Sequence, residues 1–212
     1  MMKINFLGDS ITEGLYSSSK EKSYVSLVGE ILNAEVRNYG KCCARLTRRP
    51  VEFDDGTQPN INFTSIAETM DHDADLLVVF GGTNDYGPTN APLGEMGDKT
   101  RFTVYGAVDY LITYLLQHYE KEQIIFVSPL YREDENIERG NHVMNYRGPL
   151  SKIREAIKET CEEYKIRYFD IKDKFGKAEG NNLLEDGLHP NDEGHKLLAK
   201  LISEEIKRTK MC

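Results

Sequence analysis

No apolar stretch in these 212 residues is long enough to cross a bilayer, which takes about 20 residues. A secretion signal is also missing: Met1-Met2-Lys3-Ile4-Asn5-Phe6-Leu7-Gly8 runs straight into a motif and leaves no room for an apolar region and a cleavage site. Together the two absences give the expectation of a cytoplasmic protein with no membrane partner. Cysteine is sparse. Of the four, Cys42 and Cys43 are adjacent, Cys161 falls in a helical pattern and Cys212 stands at the end. That is neither a disulfide framework nor zinc-ligand spacing, so no metal is expected. Positive charge is in deficit, with 27 Lys and Arg against 35 Asp and Glu, a formal net charge of −8. Phosphate binding needs a concentrated basic face, so the balance argues against a nucleic-acid partner. The one basic cluster, Arg45, Arg48 and Arg49, reads as a solvated loop. Repeats, low-complexity tracts and interdomain linkers are absent, and residues 1–212 are expected to form a single domain with a sizeable core.

What is present is an alternation. Largely apolar runs at 4–7, 76–80, 123–127 and 166–169 have strand character, 35–38 is a second, weaker strand, and 76–80 is apolar throughout, as in a strand buried on both faces. Between them lie helical stripes: Tyr24, Val25, Val28, Ile31 and Leu32; then Val104, Val108, Leu111 and Leu115; then Leu150, Ile153, Ile157 and Cys161. Ser65 and Glu68 have capping-box spacing for a short helix. A closing helix follows Pro190, with Asn191 or Asp192 as its cap. Five strands separated by helices predict a doubly wound α/β domain around a mainly parallel five-stranded sheet.

Four short segments carry the chemistry: Gly8-Asp9-Ser10-Ile11, Asn38-Tyr39-Gly40, Gly82-Thr83-Asn84-Asp85 and Asp186-Gly187-Leu188-His189-Pro190. Taken singly, each is an ordinary turn or helix boundary. In order, each after an expected strand or before the closing helix, they converge on one edge of the sheet. A serine hydroxyl is a poor nucleophile without a base, and the base needs an orienting partner. Ser10, His189 and Asp186 supply those three roles. Backbone N–H groups of Ser10 and Gly40 and the Asn84 side-chain amide would form an oxyanion hole, with glycine admitting close approach of a ligand. No metal or organic cofactor is needed for this chemistry. Asp9 and Asp85 are expected to brace their turns.

The Gly-Asp-Ser block, the glycine after the second strand, Gly-x-Asn-Asp after the third and Asp-x-x-His near the end resemble the SGNH (GDSL-type) esterase/lipase superfamily, from Gly8 to His189. The resemblance implies a flavodoxin-like three-layer α/β/α sandwich, ester hydrolysis, and the roles just given to Ser10, Gly40, Asn84, Asp186 and His189. The opening Gly-Asp-Ser-Ile-Thr-Glu-Gly is most similar to members acting on acylated carbohydrates or small acyl esters, which makes a small-molecule ester the expected partner. Where the family often reads Asn-x-Gly-x-Ser-Gly, this chain reads Asn38-Tyr39-Gly40-Lys41-Cys42-Cys43. The Gly-x-Ser-x-Gly elbow of the unrelated α/β-hydrolase fold is absent. Two long loops, 86–100 and 131–147, follow expected strands and would shape the pocket. Their candidates for substrate contact are Tyr86, Tyr131, Arg132, His142 and Tyr146. Two other readings remain open: an acyl-thioesterase or lysophospholipase of the same superfamily, and a flavodoxin-like protein that binds a nucleotide or glycan without turnover.

Overall fold

The computed structural model describes residues 1–49, 60–86, 91–137, 149–175 and 182–209. Five strands form one sheet: β1 (Lys3–Gly8), β2 (Glu35–Gly40), β3 (Leu76–Phe80), β4 (Ile124–Val127) and β5 (Arg167–Phe169). They lie in the order β2-β1-β3-β4-β5, and every pairing is parallel. This is the flavodoxin-like doubly wound order. The register aligns Gly8 with Gly40 on one side and with Phe80 on the other, so three strands end level at the carboxyl edge.

Period-2 alternation divides the core in two. Leu77 and Val79 of β3 face a cluster with α5 (Val104–Leu115), α6 (Leu150–Glu163) and the short α3 (Phe63–Ala67). Leu76, Val78 and Phe80 face the opposite cluster, with α2 (Tyr24–Leu32) and α7 (Asp192–Thr209). All five β3 side chains are buried, as a central strand between two helical layers requires. Each full burial of a side chain of this size contributes about 1.5–3 kcal/mol.

Two local expectations are corrected. The α3 helix starts three residues earlier than the Ser65/Glu68 spacing implied: Asn62 is the cap, and Ser65 is its reciprocal partner at the third helical position. The arginine cluster is solvated only at Arg48. Arg45 and Arg49 are buried. Asn60 holds that segment by accepting from the Arg49 N–H at 3.0 Å and donating to the Arg49 carbonyl at 2.9 Å. For the closing helix, Asn191 is the cap, accepting from the Gly194 N–H at 3.1 Å. Asp192 instead turns outward and accepts from the Ser18 N–H at 2.8 Å. No helix among the described residues is long and apolar enough to cross a membrane.

Candidate active site

Two very short helices begin at the carboxyl edge, α1 (Ser10–Glu13) after β1 and α4 (Thr83–Tyr86) after β3. Asp9 caps α1, its Oδ1 accepting from the Ile11 N–H at 3.0 Å. That leaves Ser10 at the first helical position, where the N–H has no intrahelical acceptor.

The closing segment brings His189 to Ser10. Asp186 opens a tight turn in which Gly187 adopts φ +80°, a conformation that disfavours a side chain. One carboxylate then makes three bonds. Its Oδ1 accepts from the N–H groups of Leu188 (3.1 Å) and His189 (2.8 Å), and its Oδ2 accepts from His189 Nδ1 at 2.8 Å. The Glu185 N–H donates to the His189 carbonyl at 2.8 Å and closes the turn. Burial pushes the Asp186 carboxyl up, but the bonds from His189 and Leu188 outweigh it and hold the group below its ordinary range. A carboxylate only accepts, so the proton sits on Nδ1 and Nε2 is left as an acceptor. Ser10 Oγ lies 3.0 Å from that Nε2. The serine is almost wholly buried, 3% exposed. In this chain of bonds the imidazole can take the serine proton as Oγ attacks a carbonyl carbon, and the carboxylate can stabilise the resulting imidazolium.

The α4 helix is clamped from behind. Asn84 Nδ2 donates to the Ala44 carbonyl at 2.9 Å, which uses one of its two hydrogens. Asp85, fully buried, accepts from the Leu46 N–H, the Thr47 N–H and the Thr47 hydroxyl at 2.9, 2.9 and 2.7 Å. Adjacent residues of α4 thus grip both ends of the 44–47 segment. Arg132 Nη1 donates to the carbonyl and hydroxyl of Thr83, both at 3.2 Å, and Arg132 Nε to Asp134 at 2.6 Å.

Gly40 differs from expectation in two ways. Its N–H is not free: it donates to Asn38 Oδ1 at 2.8 Å, while Asn38 Nδ2 donates to the Thr12 carbonyl at 2.7 Å. The reason for glycine is also different. A Cβ there would lie 2.2 Å from the Glu13 nitrogen, so the missing side chain admits the α1 backbone rather than a ligand. The turn after it is well defined. Ala44 N–H donates to the Lys41 carbonyl, Cys42 N–H to Glu13 Oε2 at 2.6 Å, and Cys43 takes a left-handed φ of +63°. Glycine would adopt that φ freely, and the familiar pattern has glycine at this position. Burial, then Cys43 and Glu13, push the Cys42 thiol up to about 11, away from the reactive thiolate.

Among the sequence candidates for substrate contact, Tyr86 lies in the core, 0% exposed, with its hydroxyl donating to the carbonyls of Asp134 and Ile137. Arg132 is nearly buried behind α4, as described above. Both therefore support the α4 scaffold and present little surface. Tyr131 is half-buried. His142 and Tyr146 fall outside the described residues. Sequence reading missed the loop after α1. Tyr16 lies in it, with its ring 5.4 Å from the His189 ring. The signal available was an apolar pair, Leu15-Tyr16, directly after the helix-ending Gly14. Among the described residues no three His, Cys, Asp or Glu side chains gather to hold a metal ion.

Asp9 carries a pH prediction. Its side chain is 1% exposed, and Oδ2 has no hydrogen-bond partner. Burial, and more weakly the charge of Asp85, push its pKa up to about 7 from the ordinary 3.8, against the bond from Ile11. Between those two values the folded chain holds a proton that the unfolded chain has released. Stability therefore falls as pH rises from about 4 to 7, and the deficit persists above 7. Asp9→Asn keeps the acceptor for Ile11 and cannot ionise. The melting temperature of the variant minus that of wild type should be at least about 3 °C larger at pH 8 than at pH 5. A difference independent of pH would contradict the assignment.

A hydroxyl, an imidazole and a carboxylate stand in series at the carboxyl edge of a doubly wound sheet, the parts that nucleophilic catalysis through a serine requires. The chain belongs to the GDSL-like lipase/acylhydrolase family, whose model matches residues 6–197. This is a family of hydrolases acting on esters. No curated protein matches the sequence. Solved structures agree on the fold. A protein from Lactobacillus plantarum is 24% identical, with 98% of this chain and 97% of that one covered and a TM-score of 0.78. A lipase/acylhydrolase from Enterococcus faecalis is 21% identical, covering 98% and 96%, at a TM-score of 0.64. A carbohydrate acetylesterase family member from Sinorhizobium meliloti is 20% identical, covering 99% of both, at 0.66.

Proposed function

We propose that the protein is a serine esterase acting on small acyl esters, acetylated carbohydrates among them. The observation that carries this reading is the unbroken series Ser10 Oγ, His189 Nε2, His189 Nδ1 and Asp186 Oδ2, with links of 3.0 and 2.8 Å. Ser10 Oγ attacks the acyl carbon while its proton passes to His189 Nε2. The carbonyl electron pair moves to oxygen, where the Ser10 N–H and the second hydrogen of Asn84 Nδ2 receive it. Gly40 joins them only by releasing Asn38. As the tetrahedral intermediate collapses, the ester C–O bond breaks and His189 returns its proton to the leaving alcohol. Water then repeats the cycle on the acyl-Ser10 ester, with His189 again as base.

A fluorophosphonate probe and a p-nitrophenyl ester series from C2 to C10 test this reading. Expected are one adduct, on Ser10, and a kcat/KM that peaks at short acyl groups. A strong preference for C8 and longer would point instead to a thioesterase or lysophospholipase. No adduct, together with tight nucleotide or glycan binding, would point to a binding protein without turnover.

A further inference from the structure

Tyr16 stands out among exposed side chains. It is an aromatic residue at φ +64°, a region that bulky L-residues rarely occupy. Its ring is 46% exposed, yet it leans on His189 at 5.4 Å between centroids, with 39° between planes. Left to local preference, this position would be glycine or asparagine.

The surroundings hold it there. On one side of Tyr16, the Leu15 carbonyl accepts from His195 Nε2 at 3.3 Å. His195 is fully buried, and its Nδ1 accepts from the Tyr24 N–H at 3.2 Å, which puts the ring proton on Nε2. On the other side, Asp192 accepts from the Ser18 N–H at 2.8 Å and the Ser18 hydroxyl at 2.9 Å. Both anchors belong to the first turn of α7, directly after the His189 segment. The Tyr16 loop and the His189 loop are therefore fastened to the same helix end, and an unfavourable backbone conformation is maintained beside the base.

We propose that Tyr16 is a specificity-determining residue whose ring packs against the alcohol portion of the ester, favouring esters of ring-bearing alcohols such as sugars. The inference rests on the proposed role of His189. Microscopically, the leaving oxygen must come within hydrogen-bond reach of His189 Nε2 to receive its proton. Whatever that oxygen carries then lies beside His189, where the exposed face of Tyr16 waits. An aromatic face suits a flat C–H face or another ring and gains little from a short alkyl chain.

The test holds the acyl group constant and varies the alcohol: ethyl acetate, phenyl acetate and a methyl pyranoside acetate. Tyr16→Gly should fold at least as well as wild type, because glycine adopts φ +64° without strain. It should lose about tenfold or more in kcat/KM on the pyranoside ester, chiefly through KM, and less than about threefold on ethyl acetate. Tyr16→Phe should retain the wild-type preference. Phenyl acetate separates the two kinds of ring: a loss equal to that on the pyranoside means recognition of any ring, and a smaller loss means recognition of the sugar. An equal loss on all three esters, or a melting temperature that falls with activity, would overturn the proposal and make Tyr16 a structural residue. Loss on none would overturn it as well. Absence of any Ser10-dependent turnover by wild type would remove the esterase reading itself, and this proposal with it.

Discussion

Ser10→Ala should lower kcat for p-nitrophenyl acetate by about 10⁴-fold or more and leave the fold intact. The Ser10 hydroxyl makes one side-chain hydrogen bond, to His189, and caps nothing. Removing it should shift the melting temperature by no more than about 2 °C, the range for a loss without cavity or unpaired charge. The kinetic loss is large because the covalent route disappears and only water attack, assisted by the oxyanion donors, remains. His189→Ala should cost about as much, and Ser10→Ala/His189→Ala should cost no more than either alone, since nucleophile and base act as a unit. Steady-state kinetics on the three proteins, with a scan of thermal unfolding, check both parts. Equal turnover by wild type and Ser10→Ala would end the assignment of Ser10.

The architecture was legible because its signals are local. Four strands announced themselves as short, largely apolar runs, β2 showed only weakly as Glu-Val-Arg-Asn, and β3 stands at 76–80 in both sequence and structure. That Ser10, His189 and Asp186 come together could be read for the same reason: each sits within a few residues of a strand end or a helix cap, so topology collects them on one edge. Reading failed where a side chain answers to a distant partner. Nothing near Gly40 in the chain shows that Glu13 of α1 occupies the space where its Cβ would be; the bond from its N–H to Asn38, two residues back, is local and was missed. Tyr86 was read from its position in a long loop and belongs to the core, because α4 turns it inward onto carbonyls at 134 and 137. Arg132 was read as a pocket residue from its place in the loop 131–147, and its guanidinium is used to fasten Thr83. Arg45 and Arg49 misled in the opposite sense: a basic triplet reads as solvated until Asn60, 11 residues after Arg49, is seen to fold the segment inward. Long-range hydrogen bonds of this kind leave no periodicity in the chain.

Asn84→Ala should reduce kcat by about 10²–10³-fold with KM changed less than about threefold, the pattern of a donor engaged mainly in the transition state. The side chain has two hydrogens with separate uses. One is committed to the Ala44 carbonyl. The proposed use of the other is the oxyanion. Loss of the first should not by itself misplace the 44–47 segment, because Asp85 holds Leu46 and Thr47 through three further bonds. Its cost should be that of one ordinary hydrogen bond, about 1 kcal/mol, or roughly 2–4 °C in melting temperature. A kinetic loss of 10²-fold or more with so small a thermal shift therefore reports on the second hydrogen. The state of Gly40 sets where in the range the loss falls. With its N–H held by Asn38, the Ser10 N–H alone would remain after Asn84 is removed, and the effect should approach 10³-fold. If the Asn38 bond opens when substrate binds, Gly40 supplies a further donor, and the effect should stay near 10²-fold. A loss under tenfold would show that Asn84 serves the loop and not the reaction.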